Sequence, residues 1–167
     1  MNLLERLWQH WIHPRFRVER YFPQSELQII STQIAASEQN HLGQIRFVVE
    51  SSLSTADILN RLDTKTRARQ WFSRLNVWDT EQNCGVLVYI NFADRAVEIV
   101  VDRGIHHRVD VDIWQNICTL IQHEFIQEHY ILGLKQGLEA INSVLQKHFP
   151  RGDAAKENEL PDDVIIA

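Results

Sequence analysis

Only two cysteines, Cys84 and Cys118, occur in 167 residues. Two are too few for the disulfide framework of a small secreted domain, so both are expected to be reduced thiols. Cys118 falls inside an apolar helical pattern, where cysteine acts as a small hydrophobe. Cys84 sits in a loop beside a strand, with no base identifiable next to it. No apolar run approaches the length of a membrane span. The start, MNLLERLWQHWIHPRF, is broken by Glu5, Arg6, Gln9 and His10, so it has no continuous hydrophobic core of a secretory signal. A basic excess is absent too: 17 Lys and Arg stand against 22 Asp and Glu, a formal net charge of -5, which argues against nucleic acid as a partner. The expected location is the cytoplasm, with a peripheral association at the inner membrane left open. There is no G-x-S-x-G elbow, P-loop, G-x-G-x-x-G, C-x-x-C, internal repeat or low-complexity run.

What is present is a core-forming composition, 44% hydrophobic, in a length suited to one domain. Leu3, Leu4, Leu7, Trp8, Trp11 and Ile12 follow a helical stripe that Pro14 should end. Arg15, Arg17 and Arg20 come next. Tryptophans beside basic residues suit a helix on an anionic membrane surface, but the short polar face, with only one arginine, favours a terminal helix docked on its own domain or on a symmetry mate. Residues 25–42 read as a helix capped by Ser25 and stopped by Gly43. Residues 44–50 are a β-branched and aromatic run of strand length. Residues 55–75 return to helical spacing, with Lys65, Arg67, Arg69 and Arg74 reading as a solvated basic face.

Two strands, 86–92 and 96–101, are joined so tightly at Ala93-Asp94-Arg95 that they must form an antiparallel hairpin. The first is apolar on both faces and belongs at the centre of the sheet. Ile113, Ile117, Leu120, Ile121 and Phe125 mark a helix that Asp110 or Asp112 can cap; Leu134, Leu138, Ile141 and Leu145 mark a last one. Residues 150–167, with Pro150, Gly152, Pro161 and an acidic excess, read as a disordered tail whose apolar end, Val164-Ile165-Ile166-Ala167, is expected to fray, the alternative being a short binding peptide. The expected fold is α/β. A mixed sheet combines a parallel β-α-β unit with an antiparallel hairpin, and helices cover both faces. Residues 1–22 form an amphipathic N-terminal segment, 23–149 the domain and 150–167 the tail.

From the hairpin onward the chain resembles the TPM domain family. Asn83-Cys84-Gly85-Val86-Leu87-Val88-Tyr89-Ile90 is similar to that family's DNGVLLLV, and Asp94-Arg95-Ala96-Val97-Glu98-Ile99 to its DRKVRI. Gly104-Ile105 stands where the family has Gly-Leu, and Phe125, Tyr130, Gly133 and Gly137 fit its closing pattern. The chain resembles a short, anchorless, bacterial-type branch. It departs from the family at Asn83-Cys84 for Asp-Asn, at Asp102 for a glycine and at His106 for a glutamate. The resemblance implies a TPM-like fold. It links the chain to thylakoid relatives described as acid phosphatases and tied to photosystem repair, and to bacterial relatives that bind divalent cations.

Hard cations such as Ca²⁺ or Mg²⁺ need several converging oxygen ligands. One candidate set is Asp79, Asn83 and Asp102, with Gly85 leaving room over the Asp102 carboxylate. The alternative is Glu50 with Asp94, which reach the carboxyl edge of the sheet if the first two strands are parallel neighbours. The missing catalytic motifs point to a non-catalytic interaction module. It would bind divalent cations and act with a membrane or TPM-type protein partner. The alternative is a divalent-cation-dependent, acid-phosphatase-like hydrolase, with Arg95 or Arg103 offsetting phosphate charge.

Overall fold

The computed structural model describes residues 2–152 and 160–167. Among them β1 (Gln44–Glu50), β2 (Gly85–Asn91), β3 (Ala96–Val101) and β4 (Val164–Ile166) form one sheet in the order β3-β2-β1-β4. β1 runs parallel to β2 and β4, and β2 pairs antiparallel with β3. The parallel pair and the hairpin are as the sequence predicts. β2 lies inside the sheet and is buried along its whole length, in keeping with its two apolar faces.

The helices are α1 (Leu3–Ile12), α2 (Arg15–Val18), α3 (Gln24–Ser37), α4 (Thr55–Leu59), α5 (Thr64–Arg74), α6 (Arg103–His106), α7 (Val111–Ile126) and α8 (Tyr130–His148). One sheet face presents Ile45, Phe47, Val49, Val86, Val88 and Ile90 to the apolar sides of α3, α7 and α8. The other presents Val48, Leu87 and Tyr89 to Ala68 and Trp71 of α5. Helices therefore cover both faces. Gly133 and Gly137 let α7 and α8 approach closely, since a Cβ on either would meet the Phe125 or Ile121 side chain within 3 Å.

Four local expectations fail, each for a readable reason. Ser25 is not a cap: α3 starts after Pro23, whose fixed φ suits a helix entrance, and makes no side-chain cap bond. Gly43 does not stop α3, which ends at Ser37; Gly43 instead lies under Leu145. The helix expected over 55–75 is two. Ser54 caps α4, Asp63 caps α5, and Arg61, in the left-handed region at φ 55°, breaks the chain between them. The expected disordered tail over 150–167 lies partly outside the described residues, at 153–159. Its apolar end is not frayed: Val164–Ile166 is the strand β4, with Val164 and Leu160 buried. A period-two reading of only three residues carries too little signal to be found from sequence.

Candidate functional site

The carboxyl edge of the parallel strands holds a buried polar network. Glu50 closes β1 beside Asn91 of β2, and both are buried. α5 directs two side chains onto Glu50: Arg67 Nε lies 2.9 Å from Oε2, and Trp71 Nε1 lies 3.2 Å from it. The Tyr89 hydroxyl donates to the same oxygen at 2.6 Å. Burial, then the Glu50 charge, pushes the Tyr89 hydroxyl up, so it stays a donor. Asn91 links this group to the hairpin turn. Its amide donates to the Tyr89 oxygen at 3.1 Å, and its Oδ1 accepts the Asp94 N–H at 2.9 Å.

Asp94 is where α1 is fastened. Arg6 grips its two oxygens through Nε at 3.0 Å and Nη2 at 2.7 Å, and His10 Nε2 lies 3.1 Å from Oδ1. His10 is buried, and its Nδ1 accepts the Leu53 N–H at 2.8 Å, so the ring proton lies on Nε2, facing the carboxylate. Burial alone would raise the Asp94 carboxyl; hydrogen bonds from His10 and Arg6 outweigh it and hold the carboxyl down at about 2.

A group with a depressed pKa adds stability above its ordinary value, here 3.8, and loses it as pH falls through the folded value. The wild type should therefore lose an increment of stability between about pH 4 and 2. Asp94→Asn should lack that increment, which paired urea melts across this range would read out.

The parallel strands bring Glu50 and Asp94 to one edge, as the alternative cation site requires. Each carboxylate, however, is already held by an arginine of this chain: Arg67 for Glu50, Arg6 for Asp94. Arg67 is thus not part of a solvated basic face. Arg6, His10, Arg67, Tyr89 and Asn91 were not legible as a group, because they come from three separate segments and match no spacing motif.

At the opposite edge Asp102 is buried and Asp79 and Asn83 are exposed. Asp102 caps α6, with Oδ1 2.6 Å from the Arg103 N–H. Its Oδ2 is buried without a hydrogen-bond partner. Asn83 reaches this end through its backbone, its carbonyl accepting the Gly104 N–H at 3.1 Å. The Asp79 N–H closes a turn onto Asn76 O at 3.0 Å, and its side chain makes no hydrogen bond to Asn83 or Asp102. Gly85 does lie opposite Asp102, whose N–H donates to Gly85 O at 2.9 Å. The room it leaves is filled differently from the expectation. A Cβ on Gly85 would stand 1.9 Å from Val77 O, so the space belongs to the Val77 backbone, not to the carboxylate. Among the described residues no three His, Cys, Asp or Glu side chains gather where they could hold a metal ion. Cys84 is buried, with Sγ against Gln82 O at 3.1 Å. Burial pushes the Cys118 thiol up to about 11, away from reactivity.

The third feature is the outer surface of α1. The helix is held through Arg6 and His10, so Leu4, Trp8 and Trp11 of its apolar stripe face out while Leu7 and Ile12 are half-buried. Leu4, Trp8 and Trp11, spaced i, i+4, i+7, are 76%, 64% and 64% exposed, and Phe16 in α2 is 65% exposed. Trp11 Nε1 donates to Thr55 Oγ1 at 3.2 Å, laying that ring beside α4, where Leu59 is also exposed. Among the described residues no helix is long and apolar enough to cross a membrane.

Comparison with known proteins puts this architecture in a family. The model of the TPM domain matches residues 16–144, so α1 and β4 lie outside the matched region. Among solved structures, the chain is similar to the NMR structure of BA42 protein from the psychrophilic bacterium Bizionia argentinensis. The two share 30% identity at a TM-score of 0.74, over 86% of this chain and 93% of that one. No curated protein matches. The shared mixed α/β fold and the match over most of the chain agree: this protein belongs to the TPM domain family.

Proposed function

We propose that this TPM domain is a non-catalytic interaction module that docks on an anionic membrane surface through residues 2–21. The observation that carries the reading is the inverted seating of α1. A terminal helix docked for stability alone buries its apolar stripe. Here two tryptophans and a leucine are turned outward while an arginine and a histidine are spent on the interior. Tryptophan favours the headgroup level, where an apolar ring and a polar N–H are both accommodated. Arg15, Arg17 and Arg20 are exposed just beyond. Residues 2–21 hold four arginines and two glutamates in a chain of net charge -5, so this end carries a local basic excess that attracts anionic lipid. Each arginine near such a surface contributes about 1 kcal/mol.

Co-sedimentation with vesicles tests it. The wild type should pellet with phosphatidylglycerol–phosphatidylcholine vesicles and much less with phosphatidylcholine alone. Trp8→Ala/Trp11→Ala should lose at least about ten-fold in partition, since each buried aromatic contributes on the order of 1.5–3 kcal/mol. Equal pelleting of both proteins, or none of either, would overturn the membrane reading; self-association lost in the double variant would point to a protein surface instead.

A second reading rests on the buried, unpartnered Asp102 Oδ2. An orphaned carboxylate oxygen favours a cation, and a divalent ion there would be the starting point for hydrolase chemistry with Arg103 nearby. Millimolar Ca²⁺ or Mg²⁺ should then raise the melting temperature of the wild type by mass action, and raise that of Asp102→Asn much less. Asparagine still caps α6, so the variant isolates the charge. An unshifted wild type would remove the cation and the hydrolase together.

A further inference from the structure

The outermost strand of the sheet has the character of a bound peptide. β4 has three residues, where its neighbour β1 has seven, and it lies beyond the matched TPM region. Without it the outer edge of β1 would present unpaired N–H and C=O groups, the form of edge that accepts a strand from another chain. The grip on residues 160–167 runs along the whole segment. Ala167 N–H donates to Val49 O at 2.9 Å, and Ser51 donates to Ala167 O through both N–H and Oγ at 2.8 Å. At the other end Leu160 N–H donates to the Gln44 side chain at 2.9 Å. Arg46, itself buried, binds Asp163 Oδ1 at 3.0 Å and the Pro161 carbonyl. Side chains of β4 alternate between faces: Val164 and Ile166 join the cluster that α3 covers, while Ile165, with Leu160 before the strand, joins the cluster beneath α5.

We propose that Leu160–Ala167 is a detachable strand, and that the β1 edge exchanges it with the same segment of a second copy of this chain. The inference is independent of the membrane reading, since it rests on the backbone pairing of β4 with β1 and on Arg46, and uses no residue of α1. A second copy fits because its strand reproduces every contact above, including Arg46 with Asp163, with no new complementarity required. The Arg151 N–H is fastened to Asn40 O, so residues 152–159 separate the anchored chain from the strand. Eight residues reach at most about 28 Å at roughly 3.5 Å each, enough to cross between touching copies. Within one chain the strand competes at an effective concentration in the millimolar range, so exchange belongs to concentrated or locally clustered protein.

Two measurements on the full chain test this. A fluorescent peptide with the sequence of residues 160–167 should bind Val164→Asp, whose own strand is disabled. Its binding to the wild type should be at least about 100-fold weaker, because the tethered strand occupies the groove. Sedimentation at about 1 mM should show dimers of the wild type and of Trp8→Ala/Trp11→Ala, and only monomers of Val164→Asp. A folded Val164→Asp that ignores the peptide would overturn the proposal. So would dimers that persist in Val164→Asp, or a wild type monomeric at 1 mM. If Val164→Asp fails to fold, hydrogen exchange on the wild type decides. Ser51 and Ala167 amides that exchange while β2–β3 amides stay protected support a detachable strand; exchange only through global unfolding refutes it.

Discussion

Gly85→Ala should cost at least about 3 kcal/mol, at the upper end of what overpacking a core position usually does. The methyl would stand 1.9 Å from the Val77 carbonyl oxygen, and the obstacle is backbone, so no rotamer change relieves it. Val77 is fully buried and its N–H is bound to Phe72 O, which ties the obstructing segment to the end of α5. The damage would reach the opposite sheet edge as well, since Gly85 O receives the Asp102 N–H. In a chain of this size the melting temperature should fall by about 6–12 °C. A thermal melt of the purified variant checks it; a loss under 2 °C would mean that Val77 can move away. Gly152→Ala is the matched control, because among the described residues nothing lies within 4 Å of a Cβ there.

Glu50→Ala should cost about 3–5 kcal/mol, the usual result of removing one partner of a buried ion pair. Three donors lose their acceptor at once: the Arg67 guanidinium, Trp71 Nε1 and the Tyr89 hydroxyl. The arginine charge left behind dominates the loss. Adding Arg67→Met should therefore recover a large part of it, a non-additivity that a double-mutant cycle reads directly in urea melts. If the two substitutions add, Arg67 reaches solvent once freed, and the pair is not a buried one.

The large hydrophobic contrasts of the fold were legible in sequence. β2 announced its interior place by being apolar on both faces, and the three-residue turn at Ala93-Asp94-Arg95 left only an antiparallel hairpin. α7 and α8 were plain from apolar spacing. Local punctuation was harder. Asp63 and Ser54 are good caps, but Arg61 in the left-handed region gives no compositional sign of a break. At the site, proximity of Glu50 and Asp94 to one edge followed from strand direction. Their neutralisation did not, because Arg6 and Arg67 reach them across 88 and 17 residues respectively. The outward stripe of α1 was visible as a stripe. Its direction was not: periodicity identifies an apolar side, and only the seating of Arg6 and His10 shows that Leu4, Trp8 and Trp11 on it face away from the domain.

The seating of α1 makes the membrane surface the place to look. Tryptophan emission from the wild type should shift to the blue and be quenched by vesicles of brominated phosphatidylglycerol, as Trp8 and Trp11 enter the headgroup boundary. Trp8→Ala/Trp11→Ala retains Trp71, Trp78 and Trp114 and should be quenched little or not at all. Quenching in the wild type that the double variant lacks is the result this account predicts; an unquenched wild type, or equal quenching of both proteins, would contradict it.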